Sequence, residues 1–259
     1  MTESVNFDRA SDFYDATRAF PDSVIEKIGP FLSECADFKG DEVVLEVGIG
    51  TGRIALPLAP HVSHIYGADI SAGMLKKLLQ KRGDAAVYPA MSDAHDLPYP
   101  SHSFDACVVT HVFHLVANPQ RVLAEIGRTL KSDGLLLHTF TKHSKDPDME
   151  VINEAWRSHS VPTERPVSWA NVTDMFPQEG WEKVGEYKLN YEYETCPQEY
   201  LDRVAKRQWS STWHMSDDEL AAGVAAINAA IDTHFGGDAN YKVTTNEAYQ
   251  VHVYKPPRP

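Results

Sequence analysis

The chain has 259 residues, of which 42% are hydrophobic, 10% aromatic and 24% charged. This is the composition of an ordinary globular protein, and it excludes a collagen-like chain, a disordered chain and a small disulfide-rich scaffold. The 24 Lys and Arg residues are outnumbered by 37 Asp and Glu residues, which gives a formal net charge of −13. Because so acidic a surface repels phosphate groups, we expect neither nucleic acid nor an anionic membrane as a partner.

Cysteine usage and the absence of long apolar stretches indicate the compartment. Cys35, Cys107 and Cys196 are too few and too widely spaced for a disulfide framework. No stretch reaches the roughly 18 apolar residues of a membrane span, and the polar first residues lack the apolar segment of a signal peptide. We therefore expect a cytoplasmic protein. A separate expectation is that it is a monomer or a homodimer.

From residue 41 to residue 140, runs typical of buried strands alternate with runs at helical spacing. Strands are predicted at 43–47, 64–69, 86–88, 104–110 and 135–140. Helices are predicted between them at 53–59, along the stripe Met74, Leu75, Leu78 and Leu79, and along the stripe Val122, Leu123, Ile126 and Leu130. Apolar strands that alternate with helices are typical of a parallel sheet covered on both faces, so this region is predicted to be α/β.

The remainder of the chain has a different pattern. Residues 141–165 are polar and contain prolines, so they predict a loop or an irregular helix. Residues 181–195 and 249–254 alternate as strands do, and residues 197–235 are predicted to be helical. Since the helical segment separates the last two strands, we interpret it as a cap inserted between neighbouring strands.

A glycine-rich loop follows the first predicted strand and precedes the first helix. Gly48, Gly50 and Gly52 leave the backbone bare, which lets a ligand approach closely, and the helix N-terminus attracts an anion. Asp69 ends the second strand, where a carboxylate can accept hydrogen bonds from both hydroxyls of a ribose. The dinucleotide fingerprint is G-x-G-x-x-G, and Arg53 stands where its last glycine would fall. The loop therefore predicts a nucleotide cofactor and disfavours a dinucleotide.

These motifs resemble those of the class I, Rossmann-like S-adenosylmethionine-dependent methyltransferases. Val44–Gly52 is similar to their first motif, Gly67–Leu75 to their second, and Ser92–Ala94 with Leu97–Tyr99 to the segment that contacts adenine. Phe13–Arg18 is similar to the N-terminal helix of many small-molecule members. The resemblance implies an α/β three-layer sandwich with a mostly parallel seven-stranded sheet, an antiparallel last strand and a helical cap near the C-terminus. It also implies S-adenosylmethionine as the cofactor.

The resemblance divides the chain into three parts. Residues 1–38 would form an N-terminal helical cover, and residues 39–140 the Rossmann-like core that binds S-adenosylmethionine. Residues 141–259 would supply the rest of the sheet and the inserted cap, at about 197–236. The resemblance is strong up to about residue 140 and concerns only the general layout from Trp181 onward.

The resemblance also implies which residues hold the cofactor. Asp69 would bind the ribose, Asp93 would accept from the adenine amino group, and Tyr14 with Arg18 would close over the methionine end. The full set is Tyr14, Arg18, Glu46, Gly48, Gly50, Gly52, Asp69, Ile70, Met74, Ser92, Asp93, Ala94 and Thr110. Three alternatives stay open: Met74 as a core residue, Asp93 as a solvated turn residue, and Glu46 as an acceptor for turn amides.

Two histidines are candidates for a general base. His111 and His114 follow the fourth predicted strand, at the edge where ligands of open α/β sheets bind. Histidine is also the side chain whose ordinary pKa suits proton removal near neutral pH. Each could instead pack beside the cofactor. As a pair on one helical turn they do not complete a metal site, so no metal is predicted.

Four residues of the cap are candidates for binding the methyl acceptor. Aromatic rings together with arginines could hold a flat or anionic molecule. The residues are Arg203, Arg207, Trp209 and Trp213. The alternative is that they form the small core and the surface of the cap itself.

The combined prediction is an enzyme that transfers a methyl group from S-adenosylmethionine to a small-molecule acceptor by in-line displacement. The acceptor atom, O, N, C or S, stays open. One alternative is a non-catalytic module that binds S-adenosylmethionine. A less favoured alternative is a nicotinamide-dependent oxidoreductase.

Overall fold

The fold is seen in a computed structural model, which describes residues 4–18, 20–143, 146–159 and 171–257. The strands are β1 (Val43–Val47), β2 (His64–Asp69), β3 (Val87–Met91), β4 (Phe104–Thr110), β5 (Leu130–His143), β6 (Glu182–Thr195) and β7 (Val243–Lys255). The helices are α1 (Tyr14–Arg18), α2 (Asp22–Ala36), α3 (Ala55–Leu58), α4 (Ala72–Lys81), α5 (Pro119–Thr129), α6 (Pro147–Arg157), α7 (Val172–Gln178), α8 (Pro197–Ala205) and α9 (Asp217–His234).

The strands form one sheet in the order β3-β2-β1-β4-β5-β7-β6. The strands β1 to β5 pair in parallel, and β7 is antiparallel, which confirms the predicted seven-stranded sheet. Glu46 of β1 pairs with Gly67 of β2 on one side and Val108 of β4 on the other. The chain order reverses between β2 and β4 across β1, so the carboxyl ends of these strands form the crevice where such sheets bind ligands.

Alternation of side chains along the central strands gives the sheet two buried faces. On one face, Leu45 and Val47 belong to an apolar cluster with residues of β4, β5, α5 and α7. On the other face lie Val44 and Glu46. Helix α2 contacts α3 closely, because a side chain at Gly29 would meet the carbonyl oxygen of Pro57 at 2.0 Å.

The contacts divide the chain into two compact units. The first comprises residues 1–140, 165–189 and 249–259, and the second comprises residues 141–164 and 190–248. The second unit has its own apolar cluster, in which Trp156 of α6 packs with Ile227 and Ile231 of α9. A side chain at Gly223 would meet the Trp156 ring at 2.5 Å, so this glycine lets the two helices approach.

Several predicted elements differ from the observed ones. A loop or an irregular helix was predicted within 141–165, but α6 is a regular helix. Asp146 caps it, and Pro147 stands at its first position, where the missing N–H has no consequence. Residues 160–165 lie outside the described residues. The segment 197–235, predicted to be helical, contains two helices separated by a 3-10 turn. Strand β5 begins at Leu130 rather than at the predicted residue 135, and its pairing is irregular there, since Phe104 pairs with Leu130 but Ala106 pairs with Leu135. Among the described residues, no helix has the length and apolar content that crossing a membrane requires.

Candidate active site

The three glycines of the loop after β1 have different surroundings. Gly48, Gly50 and Gly52 have φ values of 73°, 53° and 81°, the left-handed region that favours glycine. A side chain at Gly48 would meet Val112 at 2.3 Å, and one at Gly52 would meet a leucine of α4 at 2.4 Å. A side chain at Gly50 would meet nothing closer than 3.9 Å, and it would lie 4.0 Å from the carboxylate of Asp69. Packing therefore requires glycine at 48 and 52, whereas Gly50 borders open space.

Asp69 fastens this loop to the end of β2. Its Oδ2 accepts a hydrogen bond from the Gly50 amide at 2.8 Å, and its Oδ1 accepts one from the Ser71 amide at 2.9 Å. Burial raises the pKa of Asp69, and the two amide hydrogen bonds oppose that effect. Each oxygen keeps a lone pair, so the carboxylate can hold the loop and accept from a ligand hydroxyl at the same time.

The segment after β3 carries two of the residues predicted to bind adenine. Asp93 is exposed, and its Oδ1 accepts from the His95 amide at 2.9 Å and lies 2.5 Å from His95 Nδ1. Burial raises its pKa, but the interactions with His95 and Arg121 outweigh burial and lower the pKa overall. The Ser92 Oγ is buried and has no hydrogen-bond partner among the described residues.

Three apolar residues of the predicted adenine site lie at different depths. Ile70 is partly exposed, at the start of the turn between β2 and α4. Met74 is 3% exposed, and its amide is bonded to the Ser71 Oγ that caps α4. Ala94 belongs to the apolar cluster of the first unit. The burial of Met74 supports the core-packing alternative, while Ile70 is accessible to a ligand.

A buried carboxylate lies under the glycine loop. Glu46 is 3% exposed, and the Ala55 amide donates to it. Burial raises the pKa of Glu46 well above its ordinary value, while the Arg53 guanidinium opposes the shift. The Ala55 bond agrees with the alternative in which Glu46 accepts from turn amides.

The residues after β4 were predicted to lie on a helical turn, and this was wrong. His111 has a φ of 57°, and residues 111–118 form an irregular segment before α5. Left-handed backbone at His111 ends the strand and prevents a helix from starting there. Burial lowers the pKa of His111 well below 6.5, and the charge of Arg53 lowers it further, so the imidazole is neutral. Next to it, Thr110 Oγ1 lies 2.6 Å from Thr139 Oγ1.

Comparisons with known proteins agree with this geometry. A family profile described as a methyltransferase domain matches residues 45–138. The chain is 25% identical over 201 residues to YcgJ, an uncharacterized methyltransferase of Bacillus subtilis, and the alignment covers 75% of this chain and 78% of that protein. The crystal structure of YcgJ superposes with a TM-score of 0.59 at 20% identity, over 90% of this chain and 99% of the other. Over this domain the chain is similar to the class I S-adenosylmethionine-dependent methyltransferases.

Two further similarities show what the likeness to the family leaves open. The chain is 31% identical over 136 residues to a demethylmenaquinone methyltransferase of Clavibacter sepedonicus, and it spans about half of that relative (56%, against 52% of this chain). The [4+2]-cyclase SpnF superposes with a TM-score of 0.57 at 18% identity, over 99% of both chains, which is a likeness of fold alone. S-adenosylmethionine is the methyl donor of the family. Because one fold can serve several reactions, the fold does not identify the acceptor.

The N-terminal segment of the chain, residues 4–18, crosses the carboxyl edge of the sheet, and we name it the strap. At one end the Val5 amide donates to the Leu115 carbonyl at 2.9 Å, in the segment after β4. Further along, Asp8 Oδ1 accepts from Ser71 Oγ at 2.6 Å and from the Gly73 amide at 2.8 Å, at the start of α4. The strap thus connects the loops after β4 and β2, the two sides of the crevice.

Acidic residues hold the rest of the strap along α4. Asp12 lies 2.8 Å from Lys77, and Asp15 lies 2.7 Å from Lys81. Asp15 also accepts from the Thr51 hydroxyl at 2.5 Å, which ties the strap to the glycine loop. Sequence reasoning predicted a cover here but missed these aspartates; the matching signal was the pair of lysines one helical turn apart on α4.

Tyr14 and Arg18, predicted to close over the cofactor, both belong to α1 in the strap. Both are partly exposed. The Arg18 carbonyl accepts from the Arg53 guanidinium at 2.5 Å, and the Tyr14 ring packs edge-on against Phe7 with centroids 5.9 Å apart. The structure therefore brings α1 to the residue that follows the glycine loop.

The residues predicted to bind the acceptor make contacts within the second unit. The Arg207 guanidinium donates to the carbonyls of Thr212 and Met215 at 2.6 and 2.7 Å, and Trp213 Nε1 donates to the Arg207 carbonyl at 2.9 Å. Trp209 packs edge-on against a tyrosine of α8, and Arg203 lies 3.9 Å from Glu199. These contacts support the alternative in which the four residues stabilise the cap itself; a part in acceptor binding stays a prediction.

Proposed function

We propose that the chain transfers a methyl group from S-adenosylmethionine to a small-molecule acceptor. The observation that carries this proposal is the pairing of Gly50 with Asp69. At the carboxyl edge of the sheet, a left-handed glycine borders open space beside a carboxylate that still has free lone pairs. A ribose fits there, with its hydroxyls donating to Asp69.

The surrounding residues fit the remainder of the cofactor. The buried Ser92 Oγ lacks a partner among the described residues, so it is available to a polar ring atom. Asp93 would accept from the adenine amino group through the oxygen that His95 leaves exposed, and Ile70 would contact the ring. Tyr14 and Arg18 of the strap would enclose the methionine end. When bound, S-adenosylmethionine supplies both the methyl group and its own leaving group.

The protein's own part in the reaction is to position the acceptor, exclude water and remove a proton. Positioning alone can account for several orders of magnitude in rate when the reacting atoms are held in line. An acceptor O–H or protonated amine must also lose a proton. Burial and nearby cations lower the pKa of His111, so its imidazole is neutral, but the same effects make it a weak base. We therefore assign His111 as the base, in preference to His114, on position alone, because it directly follows Thr110 at the end of β4.

The class of acceptor is inferred from charge and from the relatives. The net charge of −13 disfavours nucleic acid. A named relative acts on demethylmenaquinone, a small molecule, while the cyclase of similar fold carries out a different reaction. The second similarity keeps one alternative open, a protein that binds S-adenosylmethionine without transferring its methyl group.

Two measurements test the proposal. Calorimetry with S-adenosylmethionine and with S-adenosylhomocysteine should show one site per chain. A screen of phenols, amines, thiols and carboxylic acids, followed by release of S-adenosylhomocysteine, should then give turnover with at least one class. Tight binding without turnover on any class would favour the non-catalytic alternative, and no binding would contradict the proposal as a whole.

A further inference from the structure

A buried tyrosine hydroxyl in β7 makes no hydrogen bond of good geometry with any residue that the structure describes. Tyr249 is 0% exposed, and its OH lacks a partner among the described residues. Its ring packs edge-on against Phe20, with centroids 5.4 Å apart, and at a tilt against Phe31 at 6.4 Å. Because buried tyrosine hydroxyls nearly always find a partner, an unpaired one indicates a group that a ligand completes.

The hydroxyl lies among the polar groups of the crevice. Thr110 and Thr139, whose own hydroxyls are 2.6 Å apart, are close enough to the Tyr249 hydroxyl for weak hydrogen bonding that lowers its pKa, and the charges of Arg53 and Glu46 also act on it. Burial outweighs these effects and raises the pKa of Tyr249 above its ordinary value. The phenol is therefore neutral near pH 7 and can donate a hydrogen bond.

The order of the strands indicates which reactant this hydroxyl meets. Asp69, the proposed ribose ligand, ends β2, and the glycine loop follows β1. In the sheet, β4 with His111 comes next, followed by β5 with Thr139 and β7 with Tyr249. The proposed ribose site thus lies at β2, and Tyr249 lies beyond β4, on the other side of the glycine loop, where an acceptor rather than the ribose would bind.

We propose that Tyr249 contacts the methyl acceptor and donates a hydrogen bond to an oxygen or nitrogen of it. This inference rests on the proposed function and adds to it the chemistry of the acceptor. The acceptor carries a hydrogen-bond acceptor, such as a carbonyl, carboxylate or phenolate oxygen, within reach of the atom that receives the methyl group. Phe20, whose ring packs on that of Tyr249, follows the strap in the chain.

The test compares Tyr249→Phe with Tyr254→Phe, both in the full chain. Tyr254 lies on the same strand and is 2% exposed, but its side chain is on the opposite face, stacked on Phe176 at 4.3 Å. Three quantities are measured for each variant: the urea midpoint of unfolding, the affinity for S-adenosylhomocysteine, and kcat and KM with the best phenol, amine, thiol or carboxylic acid from the screen. Loss of one neutral hydrogen bond corresponds to a loss of about tenfold in kcat/KM.

We expect Tyr249→Phe to lower kcat/KM about tenfold, mainly through KM, with the urea midpoint and the S-adenosylhomocysteine affinity unchanged. Tyr254→Phe should keep the wild-type kcat/KM. A lower urea midpoint for Tyr249→Phe would show that the hydroxyl is bonded within the protein, and this result overturns the inference. So would unchanged kinetics, or a loss of S-adenosylhomocysteine affinity equal to the loss in kcat/KM. A wild-type protein that is silent on every class would instead overturn the proposed function.

Discussion

Replacing Gly50 by alanine separates the role of the loop in folding from its role in binding. The added Cβ meets no atom closer than 3.9 Å, so the folded protein has only the left-handed backbone to tolerate, at about 1 kcal/mol. For a chain of this size that corresponds to a fall in Tm of about 2–4 °C. The same Cβ lies 4.0 Å from Asp69 Oδ2, where the ribose is proposed to bind. We therefore expect the affinity for S-adenosylhomocysteine to fall at least tenfold, about 1.4 kcal/mol, by calorimetry.

Gly83 provides a matched control for this variant. Its φ of 52° equals that of Gly50 within a degree, and a Cβ there would meet nothing within 4 Å. Gly83→Ala should therefore lower Tm as much as Gly50→Ala and leave S-adenosylhomocysteine binding at the wild-type level. Gly52→Ala should lower Tm further, because its Cβ would clash with α4. Equal ligand affinity for the Gly50 and Gly83 variants would refute the placement of the cofactor.

Three further results are expected. Asp69→Asn keeps the shape of the side chain but turns an NH₂ toward a backbone N–H. The free energy of unfolding in urea should therefore fall by about 1.5–3 kcal/mol. An unchanged free energy would contradict the role of Asp69 in fastening the loop. Lys81→Ala removes a half-exposed ion pair with Asp15, so the free energy of unfolding should change by less than about 1 kcal/mol. Because the strap is proposed to cover the cofactor, the same variant should release S-adenosylhomocysteine faster in stopped flow. Burial lowers the pKa of His138 from 6.5 to about 3, so below pH 6.5 the unfolded chain binds the proton that the folded chain refuses. Wild-type stability should thus fall as the pH drops from 6.5 toward 3, by up to about 1.4 kcal/mol per pH unit from this residue, and His138→Phe should flatten that slope; identical slopes would exclude the residue as the cause.

The sheet and the glycine loop were predictable because their signals are local. The apolar run at 43–47, the glycines after it and Asp69 at the end of the next run each specify their own conformation within a few residues. Helix α6 was not predicted as regular, because Pro147 resembles a helix breaker unless the capping by Asp146 is recognised. The capping of its first turn, rather than its composition, determines that α6 is a regular helix.

The backbone conformation of the histidines after β4, by contrast, could not be predicted from the local sequence. His111-x-x-His114 has the spacing of a helical turn, but the left-handed backbone at His111 excludes a helix there. Only a few per cent of non-glycine residues adopt this conformation, and histidine is among the more tolerant ones. The conformational propensity of histidine therefore could not predict the left-handed backbone, which the tertiary environment at the end of the strand determines.

The proposed acceptor side has no local signal of its own. Tyr249, Thr139 and Phe20 come from distant parts of the chain, and in the sequence each looks like an ordinary residue of an apolar element. They meet only because the sheet places β5 and β7 beside β4 and because the N-terminal region packs on the Tyr249 ring. The residues proposed to bind the ribose and adenine, by contrast, come from one continuous stretch, the same stretch that the family profile matches. Substitutions on β5 and β7 can therefore change the acceptor without altering any motif, and for this reason similarity to the family identifies the methyl donor but not the molecule that receives the methyl group.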